Sequence, residues 1–216
     1  MYDTRPNLII GFHGCDKYAA EALINNPNTI KISDEPHDWL GHGMYFWENN
    51  QERAQQWAVE RQQRKKRPVA DAAVIGAVLQ LGYCCDLMDS SFIGLLKEHY
   101  KTMEDVYSKS RTPLPVNRDL STDPHKNKLL RVLDCTVIEY MHNYITEQYA
   151  KDIKAHGFSN LKIFDSTRGV FTEGGLIYSG AEIFEKTHIQ ICIRNSNCIK
   201  GFFLPRKEIE FLPVAA

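Results

Sequence analysis

No stretch of this 216-residue chain approaches about eighteen uninterrupted apolar residues, so no membrane-spanning helix is expected. The start, Met1-Tyr2-Asp3-Thr4-Arg5-Pro6, lacks a charged region running into an apolar core, and no cleaved leader is expected from it. An excess of either charge is missing too. A formal net charge of -1 argues against a surface given over to nucleic acid or membrane, while leaving room for a local basic patch. The six cysteines, at 15, 84, 85, 135, 192 and 198, include no CxxC pair, and neighbouring Cys84 and Cys85 are badly placed to bridge each other. Reduced, mostly buried thiols in a cytosolic protein without a metal site are the expectation. Repeats and low-complexity tracts are absent. The chain is long enough for one domain that buries roughly 70% of its unfolded surface, so a proper core is available.

Leu8-Ile9-Ile10-Gly11-Phe12 is a short apolar run that reads as a buried strand near 7–13. Lys17–Asn25 follows as a helix with Ala19, Ala22 and Leu23 on one face, and 27–38 is loop-like, with Pro27, Asn28, Asp34 and Pro36. A second strand is expected over about 43–47, with Glu48-Asn49-Asn50 turning into a polar helix that runs to about residue 65. Val74–Leu81 reads as a central strand. From Asp89 the character changes. Phe92, Leu95, Leu96, His99, Met103 and Val106 recur at helical spacing behind an Asp89-Ser90-Ser91 cap. After a loop from Pro113 to Pro124, Leu129, Leu133, Val137, Tyr140, Met141 and Tyr144 mark a long second helix. Leu161–Phe164, Gly169–Phe171, His188–Arg194 and Lys200–Leu204 return to strand character. Strands at both ends with helices between them indicate an α+β class, a single domain over 1–216 in which 88–155 is a helical insertion or lid.

The most informative residues are His13-Gly14, at the end of the first strand, and Leu40-Gly41-His42-Gly43-Met44-Tyr45-Phe46. An imidazole, a glycine that lets backbone approach a ligand, and an aromatic face can together hold a flat amide-bearing ring. Alternation sets Tyr45 on the face opposite Met44 and Phe46.

Taken in order, Phe12-His13-Gly14, the Gly41-x-Gly43-Met44-Tyr45-Phe46 strand, the helix with Ala54 and Trp57, and Ile75–Gly82 running into Asp86-Leu87 resemble the diphtheria-toxin and poly-ADP-ribose-polymerase branch of the ADP-ribosyltransferases. The resemblance covers about residues 8–87 and, more loosely, 160–204. It implies a split, mixed and antiparallel sheet core with flanking helices, and NAD⁺ as substrate in a crevice between two small sheets. By the same likeness, His13 meets an adenosine-ribose hydroxyl and the Gly14 backbone meets the nicotinamide carboxamide. Tyr45 walls one side of the nicotinamide, and Trp57 stands where the family has a second stacking tyrosine. An indole offers a larger face for that contact, and a cationic pyridinium between two such faces gains about 1–2 kcal/mol.

The family's catalytic glutamate falls at Gln190, in the strand His188-Ile189-Gln190-Ile191-Cys192-Ile193-Arg194-Asn195. This is a departure. Glutamine can accept the ribose hydrogen bond, but it carries no charge to oppose an oxocarbenium-like transition state, a loss on the order of 3 kcal/mol. Glu185, Glu182 and Glu173, in the segment leading to that strand, are the candidate substitute acids, and Glu185 joins His13, Tyr45 and Gln190 in the expected catalytic set. A single transfer is expected rather than polymer growth. The run from Asp165 to Gly175 matches the acceptor-recognising loop, where Arg168 would pair with a pyrophosphate or acceptor phosphate and Glu173 would touch substrate.

The expectation is therefore a cytoplasmic mono-ADP-ribosyltransferase acting on a protein or nucleic-acid acceptor. By family habit it is a toxin or defence effector, with an inhibitor or antitoxin protein as a further partner and no membrane association. Three alternatives keep the fold. Gln190 favours a non-catalytic module that binds NAD, ADP-ribose or a nucleic-acid end. An NAD⁺ glycohydrolase would use water as acceptor at the same site. An RNA 2′-phosphotransferase wants several arginines, and only Arg168 and Arg194 are at hand. Plain structural readings stand beside these: Trp57 as core filling, Gln190 as a satisfied buried amide, Arg168 and Glu173 as a mutual pair or a loop cap. Arg61-x-x-Arg64-Lys65-Lys66-Arg67 reads as a solvated helix end that complements the helix dipole, or as a docking point for a phosphate-rich acceptor. His37, His42 and His125 lack metal-like spacing and receive no role.

Overall fold

Asp16 ends the first strand and starts the first helix. Its side chain accepts from the Tyr18 amide at 3.0 Å, so strand β1 (Ile9–Asp16) passes directly into α1 (Lys17–Asn25). The computed structural model describes residues 7–63 and 69–207. A 3-10 turn at Pro27–Thr29 leads into the loop before β2 (Met44–Glu48). Asn50 then caps α2 (Gln51–Gln62) by accepting from Arg53 N at 2.9 Å. Strands β3 (Ala72–Leu79) and β4 (Cys84–Asp86) follow. Asp89 caps α3 (Ser90–Lys109), and α4 (Val132–His156) stops at Gly157, whose φ of 76° suits a residue without a side chain. Strands β5 (Ser166–Phe171), β6 (His188–Ile193) and β7 (Ile199–Phe203) complete the described elements.

The strands form one seven-stranded mixed sheet in the order β4-β5-β6-β2-β1-β3-β7, parallel only between β4 and β5. The protein is α+β. Period-two alternation divides its faces. Met44, Phe46, Ile75, Ala77, Leu79, Ile191 and Ile193 bury against Ala20 and Leu23 of α1 on one side. The small residues Ala54 and Ala58 bring α2 down on the other, beside Gly14. Helices α3 and α4, inserted between β4 and β5, share a second cluster in which Met141 and Ile145 meet Cys85 and Phe164. None of the described helices is long and apolar enough to cross a membrane.

Two expectations are corrected here. Residues 161–164 are not a strand: Leu161, Lys162 and Ile163 are all exposed, and only Phe164 turns inward, stacking on Tyr83 at 4.5 Å. The sheet is also continuous rather than two small sheets, and it parts only locally between β1 and β2. All six cysteines are free and buried. Burial pushes the Cys15 and Cys198 thiols up to about 11 and those of Cys85 and Cys135 up to about 12. Of the basic run, Arg61 lies in the last turn of α2, and residues 64–67 lie outside the described residues.

Candidate functional site

Strand β1 pairs with β3 along its whole length but with β2 only at Gly11–Glu48 and Phe12–Trp47. Continued, that register would set His13 opposite Phe46 and Gly14 opposite Tyr45. Instead the strands part. The His13 imidazole spans the gap, its Nδ1 lying 2.7 Å from the Tyr45 carbonyl oxygen. A carbonyl only accepts, so Nδ1 carries the proton and donates. Burial holds the imidazole pKa below its usual value, partly offset by that carbonyl and reinforced by the Arg61 cation. His13 is thus a neutral ring, and among the described residues its Nε2 lone pair has no hydrogen-bond partner.

On the α2 face, Gly14, Trp57 and Trp47 gather. A methyl group at Gly14 would overlap the Ala54 carbonyl oxygen and lie 3.3 Å from Trp57 Cε3. Trp57 is half-buried, 5.4 Å from the Trp47 ring and 4.9 Å from the Arg61 guanidinium. Tyr45 shares a face with Trp47, and its hydroxyl holds the preceding turn by accepting from Leu40 N at 2.9 Å and donating to Gly41 O at 2.8 Å. Burial raises this phenol well above its usual pKa, so it stays protonated.

Gln190 lies on the same face, since β2 and β6 pair Trp47 with Gln190 and Tyr45 with Cys192. Its Oε1 accepts from Trp39 Nε1 at 2.6 Å. Trp39 was not anticipated: the contact spans 151 residues of sequence and nothing local announces it. His13 issues from the opposite face, paired with Ile75 and 5.9 Å from the Phe46 ring. The structure therefore brings Gly14 to Trp57, and His13 to the main chain of Tyr45. It links Gln190 to His13 only through the strand that carries Tyr45 and Trp47.

Arg168 also faces away from Gln190, because it pairs with Ile191. Its fork is occupied: Nε and Nη2 donate to Glu48 at 2.6 and 2.9 Å, and Nη1 donates to Asp86 at 3.0 Å. Glu173 is buried and accepts from Arg53 Nε at 3.0 Å and from Arg53 Nη2, tying α2 to the segment after β5. The plain reading of Arg168 and Glu173 as a mutual pair does not hold; each has found another partner. Glu182 and Glu185 are exposed in the segment before β6, where Glu185 Oε2 accepts from Gly175 N at 3.2 Å. Beside Trp47, His188 donates from Nδ1 to Lys186 O at 2.6 Å, and its buried Nε2 has no hydrogen-bond partner among the described residues.

A groove of about 420 Å³ opens on the other side of the Gly41–Gly43 turn, against α4, lined by residues that include Asp34, His42, Cys135, Glu139, Tyr140 and Asn143. Glu139 pairs with Arg194, accepts from His42 N at 2.7 Å and lies 3.6 Å from His42 Nδ1. Cys135 Sγ is 3.8 Å from His42 Nε2, but burial and the Asp38 and Glu139 carboxylates keep it a thiol at neutral pH. The network anchors the turn that Tyr45 grips; it does not present a nucleophile.

Comparisons with known protein families, with curated proteins and with solved structures gave no match to this chain.

Proposed function

We propose that this chain is a mono-ADP-ribosyltransferase that binds NAD⁺ where β1 and β2 part. The observation that carries the reading is His13, neutral, its Nδ1 proton committed to the Tyr45 carbonyl and its Nε2 left to accept a ribose hydroxyl. The nicotinamide ring lies between Tyr45 and Trp57 with the Gly14 main chain beneath it. The bond between nicotinamide nitrogen and ribose C1 breaks, nicotinamide leaves with the bonding pair, and an acceptor nucleophile bonds to C1 and gives up a proton. An ADP-ribosyltransferase-like fold is supported by the mixed sheet, its local parting and the order of motifs. Arg168 and Glu173 act in this reading as framework, since their charges are spent on Glu48, Asp86 and Arg53. A cytoplasmic toxin or defence role, with a protein or nucleic-acid acceptor and an inhibitor partner, rests on the resemblance alone.

The test is nicotinamide release and label transfer from labelled NAD⁺ in the presence of whole lysate. His13→Ala is expected to lower release at least about tenfold through loss of a hydrogen bond to the ligand. Gln190→Glu is expected to raise it by about a hundredfold, the worth of a charge placed against the oxocarbenium ion. No release and no transfer from the unmodified chain would overturn the proposal, and abolition by Glu185→Ala alone would move the acid to that loop. A second reading, binding without turnover, is favoured by the neutral Gln190 held by Trp39. Calorimetric NAD⁺ binding with zero nicotinamide release selects it.

A further inference from the structure

We infer that Trp39 is a positioning residue of this site, orienting the Gln190 side chain so that its amide NH₂ group, and not its carbonyl oxygen, faces the ligand. The inference rests on the NAD⁺ reading for the identity of that ligand. An indole Nε1–H only donates, so the Gln190 atom 2.6 Å from it must be the oxygen. Rotating the amide would set two donors against each other. Gln190 is half-buried, and among the described residues its Nε2 has no hydrogen-bond partner. The group left for a ligand is thus a donor, and the ligand atom that meets it is an acceptor: a hydroxyl, ring or phosphate oxygen.

The seat of the indole is built for it. Gly169 sits inside β5, where any residue could adopt the backbone, yet a methyl group there would come 2.8 Å from Trp39 Cη2. Phe171, two residues on, meets the same indole at 5.2 Å. The loop that delivers Trp39 is closed by Ser33 and Gly43, which exchange hydrogen bonds of 2.9 and 3.0 Å, and by Gly41 N donating to Asp38 O at 2.7 Å. The Tyr45 hydroxyl pins Leu40 and Gly41 from below. One chain of contacts therefore runs from Tyr45 through the turn to Trp39 and Gln190.

The experiment is a double-mutant cycle of Trp39→Phe and Gln190→Glu, each variant first checked for an unchanged melting transition. Phenylalanine keeps a ring in the seat and removes only the N–H. In the native background Trp39→Phe is expected to lower kcat for nicotinamide release about five- to tenfold, the worth of one hydrogen bond, with KM changed less than about twofold. In the Gln190→Glu background the two oxygens are equivalent and there is nothing to orient, so the same change is expected to cost less than about twofold. Equal cost in both backgrounds would reduce Trp39 to packing and overturn the inference. A second measurement is independent of NAD⁺. Exchange of the Trp39 indole proton with solvent, followed by nuclear magnetic resonance, is expected to be slow in the native chain and at least about tenfold faster in Gln190→Leu. Equal exchange in the two overturns the orientation even if NAD⁺ is turned over. Slow exchange in a chain that consumes no NAD⁺ supports the orientation and rejects only the transferase reading.

Discussion

Gly14 serves the fold before it serves any ligand. The α2 backbone lies so close that a methyl group would overlap the Ala54 carbonyl oxygen, and backbone cannot swing aside as a side chain can. Gly14→Ala is expected to destabilise the protein by about 1–3 kcal/mol, the usual cost of overpacking. Urea unfolding midpoints measure it, and an unmoved midpoint would mean that α2 does not pack here as described. The strand placement of His13, Gly14 and Tyr45, and the face of β2 that Tyr45 occupies, were legible in the sequence because strand alternation is local. The partner of Gln190 was not, since no spacing rule joins Trp39 to a strand 151 residues away. Arg168 misled for a related reason: a guanidinium in a polar, glycine-rich run looks available until Glu48 and Asp86 are brought against it by strands distant in sequence.

Elements whose signals are local were readable almost to the residue. Asp89 caps α3 as its sequence suggested, whereas the Asp16 cap of α1 was not foreseen. Of the expected apolar positions Leu23 and Met103 are buried, while Ala20 takes the place of Ala19 and Ala22 and Val106 stays exposed. Strand β4 was not readable, because three residues paired in parallel with β5 leave no periodic trace. Residues 161–164 failed in the opposite sense: they are apolar in sequence, but Leu161 and Ile163 are exposed and only Phe164 is buried. How α2 is held was likewise hidden. Arg53 and Glu173 are both buried and 120 residues apart, and their ion pair fastens the helix to the segment after β5. Taking Arg53 away strands Glu173 out of water, and taking Glu173 away leaves buried Arg53 only the partly exposed Glu60 carboxylate at 3.7 Å. Arg53→Met and Glu173→Leu alone are each expected to cost about 3–5 kcal/mol, while the double replacement recovers most of that loss. Thermal and urea unfolding of the three variants measure the non-additivity, and a double variant as unstable as the sum of the singles would rule out the account.

At the scale of the whole molecule, α+β character followed from strands at both ends of the chain. Strand order did not, because β6 inserts between β5 and β2 and only pairing across the finished sheet determines it. That sheet and its helices bury imidazoles on several sides at once, with a consequence for acid stability. His142 lies beside Phe164, with Nε2 3.3 Å from Thr167 Oγ1, and burial, aided by the Arg194 cation, lowers its pKa to about 3. Burial lowers His13 and His188 as well. Below the ordinary imidazole value of 6.5 the unfolded chain binds protons that these three rings refuse. The stability they permit is complete above that value and is lost as pH falls, for His142 across the whole interval down to about 3. Each ring contributes up to about 1.4 kcal/mol per pH unit inside its own interval. Urea midpoints between about pH 7 and pH 5 are therefore expected to fall steadily. His142→Gln, which keeps a hydrogen-bonding group near Thr167 and removes the titration, is expected to flatten that slope by about 1.4 kcal/mol per pH unit over the lower half of the range. A slope identical in the two proteins would show that His142 is protonated in the folded state and that the α4–sheet interface admits water.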